Sequence, residues 1–173
     1  MQILLAAIAA LFVLTAMPAA AAPAAPTGRV ACSNGSAAGY PCRNVDLLAQ
    51  VTLAELGASG PAIKANEHWG WIDPQTSREY VLFGLTNAIS FVDITDRQNP
   101  VFVGLLPSHQ GVSPYRDMAV NGNALYVVAD TPAVHGLQVF DLRRLRNVQS
   151  PPVTFAETVH YDDFTAGHSL WMN

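Results

Sequence analysis

Histidine and aspartate side chains gather near the end of this sequence at spacings that would suit a bound cation. His160, Asp162, Asp163 and His168 fall within nine residues. Imidazole and carboxylate groups are ligands for zinc, and carboxylates also bind calcium. The intervening residues 164–167 read Phe-Thr-Ala-Gly, which favours an ordinary polar loop. We therefore assign no metal ligands and predict no cofactor.

Three apolar runs in the middle of the chain indicate an antiparallel meander. They occupy residues 80–85, 88–94 and 101–106, and the links between them are rich in Thr, Asp, Asn and Pro. Short runs of Val, Ile, Phe and Tyr bounded by such turn residues are typical of strands. Apolar residues do not alternate cleanly with polar ones, so we expect both faces of this sheet to be covered.

The same pattern returns further along the chain. Tyr126 lies 46 residues after Tyr80, and Asp141 lies 48 residues after Asp93. The matching runs are residues 123–130, 136–142 and 153–159, and residues 63–72 and 115–120 supply an additional first strand for each unit. Four short strands in every 45–50 residues are the spacing of propeller blades.

The fold prediction is therefore an all-β chain that forms a partial β-propeller. It contains about two four-stranded antiparallel blades, residues 61–107 and 112–160, and residues 162–173 begin a third unit. Propellers have roughly four to eight blades. We therefore expect this sequence to be a fragment of a longer protein.

Four polar residues are candidates for a binding site in the central channel that such a fold would enclose. They are His68, Arg116, Asp117 and His168, and each lies in or beside the first strand of a unit. An arginine there could hold a carboxylate through two hydrogen bonds. The plainer alternative is an Arg116–Asp117 pair that closes a loop.

Other residues have structural interpretations. Asp93 and Asp141 recur at the same place in each unit, where a carboxylate after a strand accepts N–H bonds from the following turn. Asn121-Gly122 predicts a β-hairpin with a type I′ turn. Trp69 and Trp71 share a face on a strand, and we expect them to pack in the core rather than to bind a sugar.

The N-terminal third predicts export. Residues 1–21 have the apolar run and small residues of a signal peptide, although they lack a basic start, and residues 22–31 form a Pro/Ala-rich linker. Residues 32–60 hold Cys32 and Cys42, which we expect to form a disulfide in an exported protein; a metal site is the less favoured alternative. Within this segment, residues 47–52 predict a strand or extended piece and residues 53–56 a turn.

Composition limits the classes of function. Half of the residues are apolar and 13% are charged, which favours a packed core. A formal charge of −4 gives no basic surface for nucleic acid or anionic lipid. We expect no membrane span after removal of the signal peptide. The sequence contains no G-x-S-x-G motif, phosphate loop or dinucleotide fingerprint.

Several segments together resemble a known family. The segments CSNGSAAGYPCRNVDLLAQVTLAELG, HWGWIDPQTSREYVLFGLTNAISFVDITDRQNPVFVGLLP, HGLQVFDLRRLRN and VTFAETVHYDDF look like the choice-of-anchor B family. These are secreted bacterial proteins built from LVIVD-type β-propeller repeats. The resemblance covers Cys32 to the end of the chain and implies an extracellular or cell-surface location. It implies no catalytic residues.

The function that we expect is an exported, non-catalytic repeat module for protein or ligand interaction or surface display. Its partner would be a protein or a cell-surface ligand. The alternative is a metal-dependent hydrolase or lactonase-like propeller with its site in the central channel. For that chemistry the chain offers His68, Asp117 and His168 as scattered candidates.

Overall fold

The protein is nearly all β-structure, as predicted. The structure, a computed structural model, describes residues 28–109, 111–131 and 133–172. The predicted signal peptide, residues 1–21, and residues 22–27 of the predicted linker lie outside this range. The strands are β1 (Ser36–Ala37), β2 (Tyr40–Pro41), β3 (Ala65–Ile72), β4 (Glu79–Leu85), β5 (Ala88–Asp93), β6 (Val101–Pro107), β7 (Arg116–Asn121), β8 (Ala124–Ala129), β9 (Leu137–Asp141), β10 (Val153–Thr154) and β11 (Val159–Tyr161), with a 3₁₀ helix at Leu142–Asn147.

Two larger sheets account for most of the strands. The first sheet has the order β10-β6-β5-β4-β3, and the second has the order β11-β9-β8-β7. Strands β3 to β6 form one antiparallel meander, and β7, β8, β9 and β11 form another. The predicted runs at 80–85, 88–94 and 101–106 correspond to β4, β5 and β6.

The predicted strand over residues 153–159 is wrong, because this segment divides between the two sheets. Val153 pairs with Gly104 in the first sheet, where β10 runs parallel to β6. Val159 pairs with Val139 in the second sheet, where β11 runs antiparallel to β9. Gly104 permits the close approach of β10, since a Cβ atom there would overlap the carbonyl oxygen of Val153.

The main core lies between the facing sides of the two sheets. Its centre is an aromatic cluster in which Phe91 stacks on Phe140 at 4.9 Å and Phe155 packs edge-on against both. The aliphatic side chains around this cluster come from both sheets and from the 3₁₀ helix, and they are Leu82, Ile89, Val103, Leu106, Met118, Leu125, Val127, Leu142 and Leu145. Burial of this shared surface holds the sheets together.

The first sheet is also covered on its outer side over β5, as predicted. Leu85, Ala88, Ser90 and Val92 face away from the main core, and all four are buried. Part of the cover comes from the N-terminal segment, where a Cβ atom on Gly57 would lie 2.8 Å from Phe102 and 2.9 Å from Leu105. Residues of β3 are mostly exposed, so the cover does not extend to that edge.

The N-terminal segment is held by turns and a disulfide rather than by a long strand. Cys32 and Cys42 are bonded, which confirms the predicted pair, and their Cα atoms are 5.9 Å apart. Residues 47–52 were expected to form a strand or an extended piece; they contain no strand, and Leu47 forms a single antiparallel bridge with Val30. The turn expected at 53–56 is present, and Leu56 N donates to Thr52 O.

Two further predictions need correction. The β7–β8 hairpin is present, but Asn121 pairs with Ala124, so Gly122 and Asn123 are the central turn residues. Of these two, only Gly122 has a positive φ, +60°, which fits a type II′ turn instead of type I′. The described residues 162–172 contain no strand of a third unit; Thr165 O instead accepts the backbone amides of His135 and Gly136.

A buried ion pair joins the two sheets at one end. Asp73 precedes β4 and is fully buried, and its carboxylate accepts from Nε and Nη2 of Arg146 at 2.8 and 2.6 Å. Arg146 comes from the 3₁₀ helix after β9. Hydrogen bonds from Arg146, with smaller contributions from Thr76 and the Gln75 amide, hold the pKa of Asp73 well below its usual range despite burial.

We predict that Gly104→Ala destabilises the fold by about 2 kcal/mol, because the added methyl group forces β10 away from β6. The matched control is Gly70→Ala in β3, where an added Cβ meets nothing within 4 Å. The control leaves the free energy of unfolding unchanged or raises it by less than about 1 kcal/mol. Urea denaturation measures both variants, and equal effects would contradict the close approach of β10.

We predict that the Asp73–Arg146 pair contributes stability that depends on acid pH. Because the folded-state pKa is depressed, the contribution is complete above the unfolded pKa, near 3.8, and is lost as the pH falls through the folded value. Asp73→Asn therefore costs about 3 kcal/mol at neutral pH. Urea denaturation at several pH values should show this difference shrinking below about pH 4. A difference that stays constant down to pH 2 would disprove the role of the pair.

Candidate functional site

A buried arginine occupies the junction between the two sheets. Arg116, the first residue of β7, is 3% exposed. Its Nε donates to Leu85 O at 3.0 Å, and its Nη2 donates to Thr86 O at 3.3 Å and Ser108 Oγ at 3.0 Å. Burial lowers the pKa of Arg116 to about 10, so the guanidinium remains charged at neutral pH. The cation therefore ties β7 to the β4–β5 turn and to the loop after β6.

The fourth partner of this arginine is a buried histidine. Nη1 of Arg116 lies 3.0 Å from Nε2 of His135, which is fully buried in the β8–β9 loop. A guanidinium can only donate, so Nε2 must accept and the proton must be on Nδ1, which donates to Gly136 O at 3.1 Å. Burial lowers the pKa of His135, and the charge of Arg116 acts in the same direction. His135 is therefore a neutral, fixed link.

The polar chain continues from His135 to the surface. Nε2 of His160, on β11, donates to His135 O at 2.8 Å. The ring of His160 stacks on the ring of His109, with centroids 3.4 Å apart and planes 17° from parallel. His109 follows β6, so this contact joins the end of the first sheet to the outer strand of the second.

A glutamate completes this group. Nδ1 of His109 lies 2.8 Å from Oε1 of Glu157, which precedes β11. The other oxygen, Oε2, accepts from Nε2 of Gln138 at 2.8 Å, and Gln138 is 2% exposed. The same amide nitrogen donates to Pro107 O at 3.0 Å. We call His109, Glu157 and His160 the His–Glu–His cluster.

The His–Glu–His cluster is the one group of three potential metal ligands that the described part of the chain brings together. One ligand atom from each residue lies within 4.8 Å of the others. Beside it is a shallow depression of about 200 Å³, which His109, Glu157, Gln138 and Phe155 help to line. The cluster is thus partly exposed and has room for a small molecule or water next to it.

The four residues predicted to line a central channel do not share one site. Asp117 and His168 line a second depression, of about 310 Å³, together with Asn66, Glu67 and Tyr115. Arg116 borders it too, but its guanidinium is bonded inside the protein, so it is not free to bind a carboxylate there. Arg116 also does not form the predicted loop-closing pair with Asp117. His68 is exposed beside Glu67 and does not line the depression.

Two of the polar residues of this second depression, Asp117 and His168, have partners within the protein. Oδ1 and Oδ2 of Asp117 accept the backbone amides of Met118 and Leu170 at 2.8 and 2.6 Å. Nδ1 of His168 lies 3.0 Å from Oδ2 of Asp130. Among the described residues, His68, Asp117 and His168 do not form a group of ligands within 4.8 Å. The metal centre required by the hydrolase alternative is therefore not gathered from these three.

The structural interpretations of other residues can be compared with their contacts. Asp93 and Asp141 each accept the backbone N–H two residues later, from Thr95 and Arg143, at 2.9 and 3.0 Å, as predicted. Trp71 is buried against Tyr80 and donates through Nε1 to Gly122 O, which agrees with a core role. Trp69 is 44% exposed, so the expectation that it packs in the core is wrong.

Sequence reasoning missed His109, Glu157, His135 and Gln138, and it did not place His160 near them. His109 and Glu157 are 48 residues apart in the sequence and lie on separate segments, so no local pattern in the sequence links them. His160 lies in β11 with a hydrogen-bond partner, and the described residues 162–172 contain no strand, in agreement with the polar loop that the sequence favoured there.

Comparison of the chain with family models, with curated proteins and with solved structures finds no match. Among the described residues, no helix reaches the length and apolar character that a membrane span requires.

We predict that Arg116→Met destabilises the protein by about 3 kcal/mol, because it removes the buried donor to Leu85 O, Thr86 O and Nε2 of His135. The control is Arg97→Met, which breaks an exposed ion pair with Glu79 and should cost less than about 1 kcal/mol. Chemical denaturation measures both variants. A cost for Arg116→Met no larger than that of the control would show that the guanidinium does not hold the sheets together.

Proposed function

We propose that this chain is an exported interaction module in which the two sheets are neighbouring blades of a β-propeller. Support comes from two antiparallel meanders of four strands each, which pack through one shared core. Their first strands, β3 and β7, lie next to each other, as inner blade strands do. The resemblance to the choice-of-anchor B family and the signal-like residues 1–21 support the export part of the proposal, and the Cys32–Cys42 disulfide suits an oxidising compartment.

The observation that carries the proposal is the polar depression between β3 and β7. It combines the carboxylate of Glu67, the amide of Asn66 and the imidazole of His168 with the ring of Tyr115, which is 59% exposed. Aromatic rings with an apolar body and a polar tip, beside a few fixed polar groups, are typical of ligand sites. Trp171, 88% exposed, follows Leu170, whose amide is bonded to Asp117.

The ligand class that these groups fit is a cell-surface glycan. Sugar hydroxyls can donate to the Glu67 carboxylate and accept from the Asn66 amide, while a pyranose ring offers C–H groups to the exposed aromatic rings. The charge of the depression is slightly acidic, because Glu67 and Asp117 both border it. A strongly anionic ligand is thereby disfavoured.

The test is co-sedimentation of the purified full chain with insoluble bacterial cell walls. We expect the protein to be retained, and we expect Tyr115→Ala to reduce the retained fraction by at least tenfold. The matched control is Tyr161→Ala, a second exposed tyrosine that lies on β11, outside the depression. Retention that Tyr161→Ala lowers as much as Tyr115→Ala, or no retention of the unmodified protein, would overturn the assignment of this site.

A further inference from the structure

We propose that His109, Glu157 and His160 bind a divalent transition-metal cation, of which Zn²⁺ is the representative. The ion would clamp the outer strand of the second sheet to the loop that leaves the first. This site is separate from the β3–β7 depression, and the proposal does not depend on the ligand assigned to that depression.

The ligand set defines the class of cation. Two imidazole nitrogens and one carboxylate oxygen are a combination that zinc accepts, with metal–ligand distances of about 2.0–2.2 Å. Imidazole also suits copper and nickel, whereas calcium and magnesium prefer an all-oxygen shell. The His–Glu–His cluster therefore favours zinc, copper and nickel ions over calcium and magnesium ions.

The candidate ligand atoms already lie near one another. Nδ1 of His109 and Oε1 of Glu157 lie within hydrogen-bond distance at 2.8 Å, and a cation can take the place of the hydrogen between them. Tetrahedral ligands at zinc bond lengths are about 3.3 Å apart. The present separations are all within 4.8 Å, but the two imidazole rings are stacked with their planes nearly parallel, so the ring of His109 must rotate out of the stack to coordinate the same ion as His160. The His109 side chain is about one-third exposed and follows a strand end, so it has room to do this.

Outer hydrogen bonds orient two of the three ligands. His160 Nε2 donates to His135 O, which leaves Nδ1 as the acceptor nitrogen of the neutral ring. Glu157 Oε2 is held by the buried amide of Gln138, which leaves Oε1 for the cation. Protein metal sites use such contacts to fix the tautomer and direction of their ligands.

The surroundings leave a coordination position open to solvent. Three protein ligands fill three positions of a tetrahedral ion, and the adjoining depression gives water or a small ligand access to the fourth. The three ligands come from the loop after β6, from the crossover segment after β10 and from β11. A bound ion would therefore connect segments that are about 50 residues apart in the chain.

The experiment uses the full chain without a histidine tag, stripped with a chelator and titrated with ZnCl₂ by calorimetry. We expect one ion per chain and a rise in melting temperature on binding. Loss of a hydrogen bond to a metal ligand typically weakens metal affinity roughly 10–100-fold, and Gln138→Leu should weaken Zn²⁺ affinity within this range. Loss of a ligand itself should weaken the affinity further, and this applies to His109→Gln, Glu157→Gln and His160→Gln. CoCl₂ should give the visible absorption of a four-coordinate site.

The controls separate this site from adventitious binding by surface histidines. His68 and His168 also lie beside carboxylates, those of Glu67 and Asp130, but outside the cluster. His68→Gln and His168→Gln should leave affinity and stoichiometry unchanged. His109 is partly exposed, so His109→Gln should fold even if His160→Gln does not. The proposal is overturned if Zn²⁺ does not bind, if His109→Gln binds it as well as the unmodified protein, or if millimolar Mg²⁺ displaces it.

Discussion

Phe91 of the first sheet stacks on Phe140 of the second, and Phe155 packs its edge against both rings. The 3₁₀ helix and the segment that carries Phe155 add side chains to this core, and the described part of the N-terminal segment lies on the opposite side of the first sheet. The free energy of burying the two faces against each other therefore provides most of the attraction between them. The polar contacts between the sheets are located around this apolar centre and fix its geometry.

Those polar contacts form at different edges of the core. Arg146 and Asp73 join the 3₁₀ helix to the β3–β4 turn, and Arg116 joins β7 to the β4–β5 turn. From Arg116 the bonded chain runs through His135 and His160 to His109 at the surface. A buried charge is costly unless it is well bonded, so each arginine tolerates only one relative position of the sheets. This restriction is what places His109 beside Glu157.

The strands could be predicted well from the sequence, and the contacts between units could not. Apolar runs and turn residues located β4 to β9 to within about two residues, since both signals are local. The division of residues 153–159 between two sheets depends on Gly104, whose missing side chain leaves room for β10, and no local pattern in 153–159 reveals that. Arg116 was predicted to face a central channel because it lies at the start of the first strand of its unit. Instead, its guanidinium is buried because it donates to the carbonyl oxygens of Leu85 and Thr86, about 30 residues earlier in the chain.

Strand β10 has a consequence for how such a chain can be rearranged. It belongs by sequence to the second unit, yet it completes the edge of the first sheet, and Phe155 N donates to Leu105 O just beyond it. A genetic crossover in the loop before β7 would separate β6 from the partner that caps it. No single breakpoint between β6 and β11 preserves every pairing, because β10 pairs with β6 and β11 pairs with β9. The two sheets can therefore be exchanged only together, not one at a time.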